Sequence, residues 1–129
     1  MITVISYGTG HGPLEVEPDV IFPLAHRFRD PHVSPEMREM TGLDKIVVDN
    51  VMVQLGAHAF LLATFNLVTA LYTAHDHADL LVAFSCVGGR HRSVAFAVAL
   101  HALLVRWFPG QIQLIHRDVE KPVIVRWPA

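Results

Sequence analysis

A continuous apolar run, Leu80-Leu81-Val82-Ala83-Phe84, leads directly into Ser85-Cys86-Val87-Gly88-Gly89-Arg90-His91-Arg92. Behind it comes a long stretch rich in Ala, Val and Leu. An unbroken apolar run of this length suits a strand buried on both faces, as in the middle of a parallel sheet. The following stretch, residues 93 to 108, has no internal Gly or Pro and stops at Pro109-Gly110, which predicts a helix with Ser93 as its N-cap. Strand, glycine turn, helix is the unit of an α/β domain. We therefore expect a mostly parallel sheet flanked by helices, with a phosphate-binding strand-loop-helix at its centre.

The rest of the chain fits around that unit. Ile2-Thr3-Val4-Ile5-Ser6-Tyr7 alternates and is β-branched, so it reads as a strand. Gly8-Thr9-Gly10-His11-Gly12-Pro13 then makes a loop in which backbone can approach a ligand. Val20-Ile21-Phe22 is a second short strand. Residues 23 to 44 are punctuated by Pro23, Pro31, Pro35 and Gly42 and read as an irregular segment of the kind often used for function. A helix starts near Lys45 or Asp49 and runs to about Ala74 with a break at Gly56. Its apolar residues Phe60, Leu61, Phe65, Val68, Leu71 and Tyr72 recur at helical spacing. Gln111 to Ile115 and Val123 to Trp127 are the last expected strands.

The length, 129 residues, suits one domain over 1–129. With 52% hydrophobic and 17% charged residues, disorder is excluded as a general description. No membrane association is expected, because polar residues interrupt the apolar stretches short of a spanning length. Met1-Ile2-Thr3-Val4 lacks the basic start of a signal peptide. One cysteine, Cys86, allows neither an intramolecular disulfide nor a multi-cysteine metal site, and fits a reducing, cytoplasmic compartment. His75-Asp76-His77 has no identifiable third ligand and reads as a turn, so no metal is expected. A net charge of −2 gives no basic field to draw in nucleic acid.

The chemistry concentrates at 86 to 93. A helix N-terminus has unpaired N–H groups and a partial positive charge, both suited to an anion. Gly88 and Gly89 let amides wrap a phosphate, Arg90, His91 and Arg92 add charged and directional donors, and Ser93 adds a hydroxyl. The alternative is a tight turn with solvated cations. Cys86, Arg92 and Ser93 also match the Cys-x5-Arg-Ser/Thr loop of tyrosine phosphatases, in which a thiolate attacks phosphorus. Ser85 stands where those enzymes usually carry His, and Asp30 and Asp44 are candidate acids. The preferred reading of Cys86 is a small buried residue ending the strand. His26, Arg27, Arg29 and His32 form a candidate second basic wall. His116-Arg117-Asp118 is expected at the carboxyl end of a strand.

Together these segments resemble the C-terminal domain of the RapZ family of bacterial RNase adapter proteins. The matching stretches are Asp30-Pro31-His32, Met40-Thr41-Gly42-Leu43-Asp44, Cys86 to Val94 and His116-Arg117-Asp118, with Ser6-Tyr7-Gly8 and His11-Gly12 before them. Val87 replaces the family's Thr. The resemblance implies a fold like a phosphofructokinase subdomain, binding of glucosamine-6-phosphate, and in full-length members RNA binding and oligomerisation. It places His11, His32, His116 and Arg117 around the same crevice as the phosphate loop. The departures count too. No Gly-x4-Gly-Lys-Ser/Thr loop occurs, an Asp is lost near Phe22 to Arg29, and the family's basic tail is replaced by an apolar one that looks like an edge strand or subunit contact.

The leading expectation is a regulatory or sensor domain that binds a phosphorylated metabolite, a sugar phosphate such as glucosamine-6-phosphate or a nucleotide. Its ligand-binding residues would be Gly88, Gly89, Arg90, His91, Arg92, Ser93, His11, His32, His116 and Arg117. No cofactor is implied. A protein partner and a homo-oligomer fit this reading, whereas RNA rests on the resemblance alone. The alternatives are a phosphoryl-transfer enzyme with Cys86 as nucleophile and an RNA-binding RNase adaptor.

Overall fold

The alternation of the first strand sends Ile2, Val4 and Ser6 inward and buries all three. In a computed structural model, which describes residues 1–31 and 34–124, that stretch is β1 (Ile2–Gly8). A short 3-10 turn (Thr9–His11) follows, then β2 (Val20–Pro23), α1 (Lys45–Met52) and α2 (Ala57–Ala74). The chain continues through β3 (Leu80–Cys86), α3 (Arg92–Trp107) and β4 (Ile112–His116). The four strands form one sheet in the order β2-β3-β1-β4, parallel at every pairing. The α/β expectation holds, and the apolar run at 80–84 is an inner strand as its composition requires.

The register ties the strand ends together. Gly8 pairs with Cys86, and Ser6 pairs with both Phe84 and His116. The carboxyl ends of β1, β3 and β4 thus lie side by side, where parallel sheets hold ligands. Ile2, Val4, Val82 and Phe84 pack on Phe96, Leu100 and Leu104 of α3 and on Val68 and Tyr72 of α2. Phe22, Phe28, Phe60, Phe84 and Phe96 extend this core toward the irregular segment, with Phe28 and Phe96 ring centroids 4.9 Å apart.

One detail differs from the sequence expectations. Ser93 is not the N-cap of α3: His91 holds that position without a side-chain cap bond, and Ser93 lies inside the first turn, fully buried. Burial beside Cys86 takes the hydroxyl away from the amides it would cap. The expected break at Gly56 is present and separates two helices, with Gly56 left-handed at φ 85°. The strand expected at 123–127 falls mainly outside the described residues, and Val123 and Ile124 lie in no strand. α2 is long and apolar enough, by length and composition alone, to cross a membrane. In this fold it buries Leu61, Thr64, Val68 and Tyr72.

Candidate functional site

The end of β1 and the loop that follows β3 meet at the top of the sheet with no room for a side chain. Gly89 has φ 70°, and a Cβ there would stand 2.5 Å from the Gly8 nitrogen and 2.9 Å from Asp118 Cβ. Glycine is the residue that tolerates both the left-handed backbone and this approach. The 87–91 loop is thereby pressed onto the end of β1, and Gly10 N–H donates to Val87 O at 2.9 Å to hold it there. Gly42 N–H donates to Arg90 O at 2.6 Å, which closes the irregular segment over the other side of the loop.

Gly88 is different, because a Cβ there would meet nothing within 4 Å. It lines a narrow crevice with Asp30, Cys86, Arg90, His91 and Arg92. Val87, Val123 and Ile124 complete the walls of this crevice, which is partly open to solvent. Among the described residues, the backbone N–H groups of Gly88, Gly89, Arg90, Arg92, Ser93 and Val94 meet no acceptor. Three belong to the first turn of α3, where no helical partner exists. N–H groups left without acceptors at a loop and helix start are the kind that bind anions in other proteins. Cys86 Sγ lies 3.1 Å from Ser93 Oγ, and both residues are buried.

The cations expected to face the phosphate hold the loop in place. Arg92 is 3% exposed. Its Nη1 donates to Ala25 O at 2.8 Å, Phe28 O at 3.1 Å and Leu24 O at 3.5 Å, and its Nη2 reaches Asp30 at 3.3 Å. Arg90 donates to the carbonyls of Glu39, Val119 and Lys121. The Nε of each arginine has no partner among the described residues. His91 Nε2 is 2.9 Å from Met37 O, and its Nδ1 is 3.7 Å from Asp30. Burial pushes the His91 imidazole below its ordinary pKa, against the opposing pull of Asp30.

A second group stands at the end of β4. Asp118 is fully buried and accepts from Gly8 N–H at 2.7 Å, from Arg117 at 2.8 Å and from Lys121 at 2.7 Å. Burial pushes its carboxyl up, but these donors outweigh it and bring the pKa down to about 2. Arg117 also donates to the carbonyls of Gly8, Gly12 and Pro13 and lies over the Tyr7 ring. His116 Nδ1 is 2.6 Å from Ser6 Oγ, and burial lowers its pKa, with His101 adding to the effect.

Of the expected ligand residues, Gly88, Arg90, His91 and Arg92 line the crevice, and Gly89 and Ser93 supply N–H groups beside them. His11, His116 and Arg117 are not among its walls. His11 Nε2 and His116 Nε2 are buried without a partner among the described residues. His32 lies outside the described residues. Arg27 stands at a separate apolar groove with Phe22, Phe28 and Leu55. The irregular segment thus supplies carbonyl oxygens to Arg92, where the sequence suggests cationic side chains. Asp118, which the sequence sets beside two basic residues as a group that could orient either, does hold Arg117, and its buried carboxylate also accepts from Gly8 and Lys121.

A family model described as the RapZ C-terminal domain matches residues 1–120. A relative from Lactiplantibacillus plantarum, named a nucleotide-binding protein, is 33% identical over 93% of this chain and 40% of its own length. One of the same name from Salinispora arenicola is 42% identical over 81% of this chain and 36% of its own. Another, from Mycobacterium leprae, is 36% identical over 92% of this chain and 40% of its own. The chain thus spans about two fifths of the length of these curated relatives.

Proposed function

The chain belongs to the RapZ C-terminal domain family, and from that membership we propose that it binds the phosphate of a small phosphorylated ligand in the crevice at the head of α3. The observation that carries this reading is the run of six N–H groups without an acceptor around the open Gly88. Buried donors left unpaired are costly, and an anion satisfies them while meeting the partial positive charge of the helix end. Arg92 Nε adds one further donor from a side chain whose position is fixed by carbonyl oxygens. The ligand class is a sugar phosphate, glucosamine-6-phosphate first, or a nucleotide, in keeping with the nucleotide-binding names of the relatives. Binding would act on a partner as a signal.

Thermal unfolding against a panel of sugar phosphates, nucleotides and inorganic phosphate tests this. A ligand at about a hundred times its dissociation constant adds roughly 2.7 kcal/mol, or a Tm shift of about 10 °C. Gly88→Asp puts a carboxylate where the phosphate belongs without a packing clash. It should remove the shift and leave the unliganded Tm nearly unchanged. A panel with no active member, or a shift that survives Gly88→Asp, refutes the site.

A further inference from the structure

Cys86 is the last residue of β3, Arg92 the first of α3, and the left-handed Gly89 turns the chain between them. The thiol lines the same crevice as Gly88, Arg90 and Arg92, three of the residues whose loop N–H groups meet no acceptor among the described residues. Ser93 Oγ lies 3.1 Å from Sγ, placed to donate to a thiolate. Arg92 is 3% exposed, lines the crevice, and keeps its Nε without a partner among the described residues. A strand-end thiol, a hydroxyl on the sulfur and a ring of N–H donors together make a nucleophile with a cradle for the group it attacks.

We propose that Cys86 attacks phosphorus, so that this crevice hydrolyses phosphate esters with good leaving groups through a phosphocysteine. The inference rests on the phosphate-binding reading above. In the first step the Cys86 thiolate, its proton given up to water beforehand, forms the Sγ–P bond as the P–O bond to the leaving group breaks; the electron pair departs with the leaving oxygen. In the second, water attacks phosphorus, the S–P bond breaks, the thiolate returns, and the water protons leave on the released phosphate. No redox partner is needed. The loop N–H groups and Arg92 Nε hold the three non-bridging oxygens, and the Ser93 hydroxyl steadies the sulfur as it departs.

The structure also narrows the substrate. Asp30 is the carboxylate in the crevice wall, and it is bound to Arg92 at 3.3 Å and faces His91. Its Oδ2 is held by Arg92, so among the described residues lining the crevice no carboxyl group stands free to protonate the leaving oxygen. Aryl phosphates and acyl phosphates release their leaving groups without that proton, whereas alkyl phosphates such as sugar phosphates do not. A sugar phosphate would therefore bind and persist, and an acyl or aryl phosphate would turn over.

The test uses p-nitrophenyl phosphate and acetyl phosphate as substrates, with inorganic phosphate binding followed separately by thermal shift. Wild type should release product and carry one phosphoryl group on Cys86 by mass spectrometry of the quenched protein. Cys86→Ser should fall to the uncatalysed background and still bind inorganic phosphate; Cys86→Ala serves if the serine variant does not fold. In Ser93→Ala the phosphocysteine should accumulate, because the hydroxyl that steadies the departing sulfur is gone, a change that loss of packing alone would not produce. Phosphate binding with neither product nor phosphocysteine overturns the inference and leaves the binding reading intact. Turnover undiminished in both Cys86 variants overturns it as well. Absence of phosphate binding removes both.

Discussion

Replacing Asp118 with asparagine probes the joint between the strand ends. Its carboxyl has a pKa of about 2 in the fold, against an ordinary value of 3.8. A tenfold change in proton affinity corresponds to about 1.4 kcal/mol, so the ionised form contributes about 2 kcal/mol to stability. The folded pKa is the lower one. The contribution is therefore complete above about pH 4 to 5 and is lost as pH falls toward 2. Urea unfolding of wild type and Asp118→Asn at a series of pH values reads this directly. At pH 7 the variant should be less stable by about 2 kcal/mol, or about 8 °C in Tm. The gap between the two proteins should close through pH 4 to 2, because acid removes from wild type what the substitution has already removed. Parallel pH profiles, with a constant gap, would refute the assignment of this carboxylate as the ionised clasp on Gly8, Arg117 and Lys121.

Arg92→Ala should destabilise by about 3 to 5 kcal/mol, since it strips the carbonyls of Ala25 and Phe28 and the Asp30 carboxylate of a buried cation. Denaturant midpoints measure it, and an Arg92→Ala protein as stable as wild type would show that those contacts hold nothing. Gly89→Ala should cost about 2 kcal/mol or more through its positive φ and its clash with Gly8, whereas Gly88→Ala should be nearly neutral. Thermal melts of the two variants compare them, and equal effects would contradict the loop geometry.

Much of the architecture is legible in the sequence because hydrophobic pattern sets strands and helices locally. The unbroken run at 80–84 marks an inner strand, and the Pro109-Gly110 stop closes α3 where expected. The position of the 87–91 loop is legible for the same reason, as a glycine turn between an apolar strand and an apolar helix. The roles of the cations are not. Arg90 and Arg92 stand where phosphate ligands stand in sequence. The carbonyls that hold their guanidiniums, those of Leu24, Ala25, Phe28 and Glu39, carry no side-chain signal. Backbone acceptors in an irregular segment are chemically identical at every residue, so only the fold reveals which ones a buried arginine meets. Ser93 misleads in a similar way: a serine before an apolar run reads as a cap, and burial beside Cys86 turns it toward sulfur.

The position of β1 in the sheet has a consequence for how the chain assembles. It precedes every other element described, yet it sits between β3 and β4, pairing Ile2 with Leu80 and with Ile112. A ribosome therefore delivers this inner strand well before either of its two neighbours. During synthesis β1 has both edges open, with Ile2 and Val4 exposed, until β3 emerges. Contacts this distant in sequence close slowly, and open strand edges invite pairing with other chains. The interval between synthesis of β1 and of β4 is thus one in which a central strand of the finished sheet offers an open edge to other chains.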